Sequence, residues 1–343
     1  MKSRLSFLSI AVFSIIGSIC SASLFASGRT DEPQSKTVTV YTYDSFAAEW
    51  GPGNEIAKRF KQATGYTVKY VVCGDSGAVL SKAVAEKNSP HADVLVGINN
   101  FMVSKTRDAA VLEAYRSPNM TADIPHTVTM TQDNLLTPYD WGYFAIMYDT
   151  ASQVPPPQSL QDLTDPRYRN SLVLMDPRIS APGLGFAAWT KAVYGNSYLD
   201  YWQKLRSSLL TVSPSWSTGY GLFTAGEVPL VSSYTTSMAY HLRYDKTDRY
   251  QALTFSDGHI LSIEGMGLVK QAPNKKGGQA FIDFMLTKEV QEVLPETQWM
   301  YPVLTSVVLP DSFKTLPVPE KILSLSDTEA ETASNAIAAV LAQ

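Results

Sequence analysis

Hydrophobic and polar positions change period repeatedly along the chain, so that short β-rich runs alternate with helical patterns. The first part predicts strands at Thr37–Tyr43, Thr67–Cys73 and Asp93–Gly97, with helices near Glu55–Thr64 and Ala78–Glu86. Such alternation is typical of parallel β-α-β units. The sequence therefore predicts an α/β fold.

A second alternation follows a β-rich run at Tyr143–Tyr148 and the Pro-rich turn after it. It leads into a long β-like run and ends in an Ala- and Glu-rich helix. The predicted strands are Ser171–Met175, Val228–Val231 and His259–Lys270, and the predicted helices lie near Gly185–Val193, Tyr198–Ser207, Gly278–Leu286, Lys288–Leu294 and Asp327–Leu341.

Two α/β units joined by long strands near 140–148 and 255–268 predict two lobes with a hinge, and a single large α/β domain is the alternative. We assign residues 37–140 with 262–315 to lobe 1, 141–261 to lobe 2, and 316–343 to a C-terminal helical segment. Small-molecule sites favour domain interfaces. The cleft between the lobes is therefore the expected ligand site.

The N-terminus carries two basic residues, an apolar run from Leu5 to Ile19 and then small residues, which is typical of a secretory signal peptide. A retained anchor helix is the alternative, although the run is shorter than the roughly 20 residues that span a bilayer. We assign residues 1–26 to the signal and 27–36 to a flexible tether. Cys20 could instead become a lipidated N-terminus. Either route predicts a periplasmic protein.

The net charge and the cysteine content exclude some classes of partner and of covalent cross-link. Loss of Lys2 and Arg4 with the signal changes the formal net charge from −4 to −6, which disfavours a nucleic-acid partner. Cys73 is the cysteine that certainly survives processing, so no intramolecular disulfide is expected. We expect a monomer with an ordinary hydrophobic core.

Three turn-rich stretches open predicted helices and could meet an anion. They are Asp75-Ser76-Gly77, the stretch Asp176–Gly185 and the stretch Ser215–Thr218. Free backbone N–H groups and the helix dipole attract anions at such positions. Each stretch could equally be a plain helix cap. Three of them distributed over both predicted lobes indicate a shared anion site.

Aromatic residues outside any core periodicity predict stacking surfaces for a flat cationic ligand. Stacking and cation–π attraction supply about 0.5–2 kcal/mol per ring. The carboxylates of Asp44, Glu49, Asp75 and Asp140 could balance a positive charge, or lie solvated at the surface. The candidate stacking residues are Tyr43, Trp50, Trp216, Tyr240 and Trp299.

Catalytic and metal signatures are missing from the sequence. The four histidines show no His-x3-His spacing, and there is no phosphate loop or dinucleotide fingerprint. We therefore predict no catalytic residues, no metal site and no cofactor, and not an enzyme.

Several segments taken together resemble the periplasmic thiamine-binding proteins of bacterial thiamine importers. The likeness runs in order from about residue 37 to 310. The segments are Thr39–Gly53, Ala92–Gly97, Tyr139–Ala145, Asp176–Gly185, Ser217–Phe223, Ser233–His241 and Trp299–Val303.

The resemblance implies a type II periplasmic-binding-protein fold that captures thiamine, or its mono- or pyrophosphate, and delivers it to the permease and ATPase of an ABC importer. This chain has Ser76 where those relatives have Gly, and Ala181 where Thr is common. The relatives' preference among the phosphate forms of thiamine is therefore not assigned to this chain. The ligand positions that the resemblance implies are Asp75, Ser76, Ser180, Ala181, Trp216, Tyr234, Thr235, Thr236 and Ser237, beside Gly77 and the aromatics above.

Two other functions remain open from the sequence. Thiaminase I resembles these binding proteins in fold, and Cys73 beside a proposed ligand loop could serve as its nucleophile, although no activating base is placed near it. A relative in the same fold could bind another small solute such as a polyamine or ferric ion, with Tyr234 and Tyr240 supplying tyrosinate oxygens.

Overall fold

The structure, a computed structural model, describes residues 35–342. The predicted signal peptide, Cys20 and most of the predicted tether therefore lie outside the described residues. The strands are β1 Thr37–Thr42, β2 Thr67–Val72, β3 Val94–Asn99, β4 Leu112–Glu113, β5 Thr137–Asp149, β6 Leu172–Met175, β7 Leu209–Ser213, β8 Leu230–Tyr234, β9 Tyr250–Leu253, β10 His259–Val269, β11 Tyr301–Pro302 and β12 Ile322–Leu323.

Helices alternate with these strands as the sequence predicts. A π-helical turn at His241–Asp245 directly follows the short helix Ser237–Tyr240. The α-helices are α1 Asp44–Ala47, α2 Gly53–Thr64, α3 Ser76–Ala85, α4 Val103–Ala109, α5 Ala181–Tyr194, α6 Tyr198–Leu205, α7 Trp216–Thr224, α8 Ser237–Tyr240, α9 Lys275–Met285, α10 Lys288–Gln291, α11 Leu294–Thr297 and α12 Asp327–Leu341.

The sheet combines parallel and antiparallel pairs in the order β2-β1-β3-β10-β5-β8-β6-β7. Strand β1 pairs in parallel with β2 and β3, and β6 pairs in parallel with β7 and β8, as expected for β-α-β units. Between these two groups lie β10 and β5, which run antiparallel to each other. The α/β class predicted from the sequence is confirmed.

Strand β5 belongs to both groups because its two halves have different partners. Its first half pairs with β10 and β11, and its second half, from Phe144 onward, pairs with β8 and β9. One continuous strand therefore joins the two groups of strands. The described residues form one compact unit by their internal contacts. The lobe boundaries at 140 and 262 stay a prediction.

Helix α5 fills the space between the sheet and the C-terminal helix. Nearly all of its first three turns are buried, including Phe186 and Trp189, and α12 packs on its other side. The hydroxyl of Ser334 on α12 donates to the carbonyl of Pro177 at 2.8 Å, just before α5. The predicted C-terminal helix is thus part of the core. Among residues 35–342, no helix combines the length and apolarity needed to cross a membrane.

Two helical glycines allow a matched test of this packing. A Cβ at Gly185 would lie 2.1 Å from the Phe144 ring, whereas one at Gly221 on α7 would meet nothing within 4 Å. We expect Gly185→Ala to lower the free energy of unfolding by about 1–3 kcal/mol through overpacking. Gly221→Ala should raise it by about 0.5–1 kcal/mol through helix propensity. Denaturant unfolding of the ligand-free variants measures both, and equal effects would contradict the packing.

Candidate functional site

A cavity of about 360 Å³ opens beside the carboxyl end of β1, the first turns of three helices and the middle of β10. Ligand pockets have this size range and this mixture of apolar walls with a few polar groups. The lining residues are Tyr43, Asp44, Ser45, Trp50, Asp75, Ser76, Ala181, Pro182, Trp216, Ser217, Tyr220, Gly221, Thr224, Tyr234, Ser237, Tyr240, Glu264, Gln298, Trp299 and Met300.

Asp75 connects the three helix starts that the sequence singled out. Its Oδ1 accepts the N–H of Ser76 at 2.6 Å and the N–H of Ala181 at 3.4 Å, and its Oδ2 accepts the N–H of Trp216 at 3.2 Å. These are the first residues of α3, α5 and α7. A carboxylate there satisfies N–H groups that helices leave free and interacts favourably with their dipoles. The predicted meeting point exists, and the chain's own carboxylate occupies it.

Burial and hydrogen bonding act on this carboxyl in opposite directions. Asp75 is 7% exposed. Its burial raises the pKa above the ordinary range for aspartate, and the backbone N–H groups of Ser76 and Trp216 partly oppose that shift. Nearby, the hydroxyl of Ser217 donates to Asp44 at 3.0 Å, which links α7 to the first residue of α1.

Aromatic rings form two groups on the cavity wall. Trp216 stacks on Tyr220 with ring centroids 4.7 Å apart, and Trp50 lies 6.3 Å from Trp216. At the other group, Tyr240 meets Trp299 edge-on at 5.4 Å. Trp50 is 54% exposed, so much of this side chain remains accessible beside the cavity. Rings held in this way offer flat surfaces to a planar ligand.

The side of the cavity formed by β10 carries a buried hydrogen-bond network around Glu264. The hydroxyls of Tyr43 and Tyr139 donate to its Oε2 at 2.6 and 2.5 Å. The side-chain amide of Gln298 donates in turn to the Tyr43 hydroxyl. The Tyr43 hydroxyl is therefore fixed by Glu264 and Gln298, and Tyr43 lines the cavity.

Asp140 lies on the neighbouring strand, directly opposite Glu264 in the β5–β10 register. It is fully buried, and neither of its carboxyl oxygens has a hydrogen-bond partner among the described residues. Burial, and then the charge of Glu264, raise the pKa of Asp140 well above its ordinary range. Both effects favour the protonated form of Asp140, and unlike Asp44 and Asp75 this residue does not line the cavity.

The electrostatic character of the cavity is negative. Three carboxyl groups line it, those of Asp44, Asp75 and Glu264, and its lining residues include no Lys, Arg or His. Within residues 35–342 no cluster of His, Cys, Asp and Glu could hold a metal ion. Aromatic faces with uncompensated carboxyl groups are suited to an organic cation.

Most of the sequence-predicted site residues meet at this cavity. Glu49, one of the candidate counter-charges, is exposed and does not line it. The predicted residues that line it are Tyr43, Trp50, Asp75, Ser76, Ala181, Trp216, Tyr234, Ser237, Tyr240 and Trp299.

Besides the candidate counter-charges Glu49 and Asp140, four predicted ligand-binding residues do not line the cavity, each for a packing reason. The N–H of Gly77 donates to the carbonyl of Ile179 at 2.9 Å, and a Cβ at Gly77 would meet that backbone at 2.7 Å. Ser180 borders a smaller pocket next to α12. Thr235 and Thr236 are fully buried, and the N–H of Thr235 continues the sheet by donating to Tyr143.

Sequence reasoning missed Glu264 and Gln298 as site residues, whereas Ser217 lies in the stretch Ser215–Thr218 that it singled out. Tyr220 lies inside the segment Ser217–Phe223 but was not predicted as a site residue. A usable signal existed for Glu264, because it is the sole charged residue inside the otherwise buried and apolar strand β10. A charge in such a strand is rare without a function or a partner.

Comparison with known proteins agrees with this geometry. A family model described as bacterial extracellular solute-binding protein matches residues 89–326. The chain belongs to this family. It is 39% identical to a thiamine-binding periplasmic protein of Brucella suis biovar 1 (strain 1330) over 91% of this chain and 93% of that protein. The solute-binding fold and the resemblance predicted from the sequence are confirmed.

Two further relatives of this solute-binding protein carry similar names. A thiamine-binding periplasmic protein of Escherichia coli (strain K12) is 36% identical and covers 91% of each chain. A solved structure called a periplasmic thiamin binding protein superimposes with a TM-score of 0.84 at 34% identity, covering 90% of this chain and 96% of that one.

The buried Asp140 gives the first prediction at this site. Its pKa is raised in the folded state. Raising the pH above about 4, the ordinary range for aspartate, therefore penalises the folded state increasingly. Asp140→Asn cannot ionise. We expect the unfolding free energy of the variant, minus that of the wild type, to increase between about pH 4 and pH 8 by up to about 1.4 kcal/mol per pH unit.

Denaturant unfolding of both ligand-free proteins across this pH range measures the difference. The new amide also lacks a partner, but that penalty is independent of pH and cancels from the slope. A difference that stays constant with pH would show that the pKa of Asp140 is not raised in the folded protein.

Proposed function

We propose that this protein captures thiamine in the periplasm and delivers it to the membrane subunits of an ABC importer. The proposal rests on the composition of the cavity wall. Aromatic rings and three carboxyl groups line the cavity, and its lining residues include no basic side chain. Thiamine is a permanent organic cation with two flat rings. The names of the relatives, which cover nearly the whole chain, point to the same ligand.

The two aromatic groups suit the two rings of thiamine. One ring can stack on the group formed by Trp50, Trp216 and Tyr220, and the other on the group formed by Tyr240 and Trp299. The Trp216 ring is held in one orientation before the ligand binds, because its Nε1 donates to the Ser233 hydroxyl at 2.8 Å. Preorganised rings lower the entropy lost on binding.

Hydrogen-bonding groups between these walls can position the polar ends of the ligand. Ser76, Ser217 and Ser237 line the cavity with hydroxyl groups. They suit the hydroxyethyl end of thiamine or a phosphate ester on it. Ser180 and the buried pair Thr235 and Thr236 support this wall from outside the cavity rather than touching its contents.

Capture without chemistry is the mechanism that we propose, so the protein is not an enzyme. Cys73, the candidate nucleophile, follows β2 and does not line the cavity. Burial raises the pKa of its thiol, an effect that the positive charge of Lys82 only partly opposes. A thiol with a raised pKa is a poor nucleophile at neutral pH. The role of delivery to an importer rests on the family, and lipidation at Cys20 stays a prediction.

Calorimetric titration of the mature protein, refolded from denaturant to remove bound ligand, tests the proposal. We expect thiamine to bind one-to-one at this cavity and to be recovered intact after incubation. Thiamine monophosphate and pyrophosphate in the same experiment rank the phosphate forms. Absence of binding by all three would reject the proposal, and thiamine cleavage by the purified protein would replace capture with catalysis.

A matched pair of variants tests the aromatic wall. Trp216→Ala removes a ring that lines the cavity, and we expect it to weaken thiamine binding by about 2- to 30-fold through lost stacking and cation–π attraction. Leu222→Ala on the same helix shortens a side chain that packs into the neighbouring core instead. The control should bind thiamine as the wild type does. Equal affinities for the two variants would place the ligand elsewhere.

A further inference from the structure

Glu264 presents an oxygen that the protein leaves uncommitted. Both phenol hydrogen bonds, from Tyr43 and Tyr139, end on Oε2. Its Oε1 accepts no hydrogen bond from the described residues, and the side chain lines the cavity while the residue is only 6% exposed. A ligand inside the cavity can therefore reach this carboxylate where little water competes.

The neighbouring Asp140 determines where the charge of this carboxyl pair resides. Two buried carboxyl groups side by side cannot both ionise without a large electrostatic penalty. Hydrogen bonds from Tyr43 and Tyr139 stabilise the ionised form of Glu264, whereas Asp140 has no such donor among the described residues. The proton therefore stays on Asp140, and the single negative charge of the pair lies on Glu264.

Other titratable groups around the pair do not neutralise this charge. Tyr43 next to α1, Tyr139 on β5 and Tyr234 on β8 are neutral, because burial raises the pKa of each far above its ordinary value. Asp75, at the start of α3, adds further negative charge. Gln298, which bonds to Tyr43, does not titrate. Among residues 35–342, no Lys, Arg or His lines the cavity.

We propose that Glu264, beside a protonated Asp140, is the counter-charge that selects a positively charged ring over a neutral one of the same shape. This inference rests on the proposed function, because it assigns the cation of thiamine to this carboxylate. Glu264 is then a specificity-determining residue, and the rings on the cavity wall contribute shape and contact area.

The proposal fixes the direction of the pH dependence. Burial raises the pKa of Glu264 above its ordinary value, although the two phenol donors oppose the shift. Affinity for a cation is complete above this pKa and decreases as the pH falls through it. Affinity for a neutral ligand has no such dependence on Glu264.

Two ligands measured together test this directly: thiamine, and its neutral isostere in which carbon replaces the quaternary ring nitrogen. Both share the aminopyrimidine ring, so its own protonation cancels in the ratio of their affinities. For the wild type, we expect calorimetry to show thiamine favoured at least 10-fold at pH 8. The ratio should decrease as the pH is lowered through the pKa of Glu264. A ratio that does not change with pH would overturn the proposal.

Glu264→Gln keeps the shape of the side chain and removes its charge. We expect this variant to lose at least 10-fold of the preference for thiamine and to show a ratio independent of pH. Glu227→Gln, which removes the same charge from an exposed residue after α7, should retain the wild-type ratio. A pH-dependent ratio that persists in Glu264→Gln would assign the effect to Asp75 instead and overturn the proposal.

The neutral isostere also shows whether Glu264→Gln still folds, because its binding does not require the charge. If that variant fails to bind either ligand, the wild-type pH series still decides the question. A wild type that binds neither ligand would reject thiamine capture itself. A wild type that binds both without preference would reject only the role of Glu264.

Discussion

Asp75 holds the starts of three helices with one buried carboxylate. The N–H groups that open α3, α5 and α7 would otherwise be short of acceptors in a poorly solvated place, so each depends on this residue. Its bonds to Ala181 and Trp216 bridge 106 and 141 residues of sequence. They also link segments that the sequence assigns to different lobes. Ser76, Ala181 and Trp216 reach the cavity as a consequence of this arrangement.

The same interaction changes how helix starts in such a sequence are interpreted. Three helix N-termini that converge are expected to attract an anion from solution. Here the protein supplies the anion itself, and with Asp44 and Glu264 it gives the cavity an excess of negative charge. Helix dipoles therefore stabilise a carboxylate of the site. Helix starts alone therefore do not determine the charge of the ligand in such a cavity.

The sequence predicted the regular elements well wherever they were long and periodic. Strand β5 and helix α12 are examples, whereas α4, with seven residues, and β4, with two, are too short to leave a periodic pattern. Trp50, Trp216 and Trp299 were found because aromatic residues in turn-like surroundings are conspicuous. Gln298 was missed because its role arises from a contact with Tyr43 across 255 residues, which no local pattern encodes.

At Glu264, the requirement for binding a cation conflicts with the requirement for a stable fold. A carboxylate in a buried strand destabilises the fold, and placing Asp140 opposite it increases the penalty. Replacing the pair by apolar residues would favour folding. A bound cation relieves the electrostatic penalty that the ligand-free fold carries, and so this relief adds to its affinity. Neutral solutes of the same shape gain contacts with the aromatic walls but not this relief, so the cavity can discriminate between them without a steric barrier.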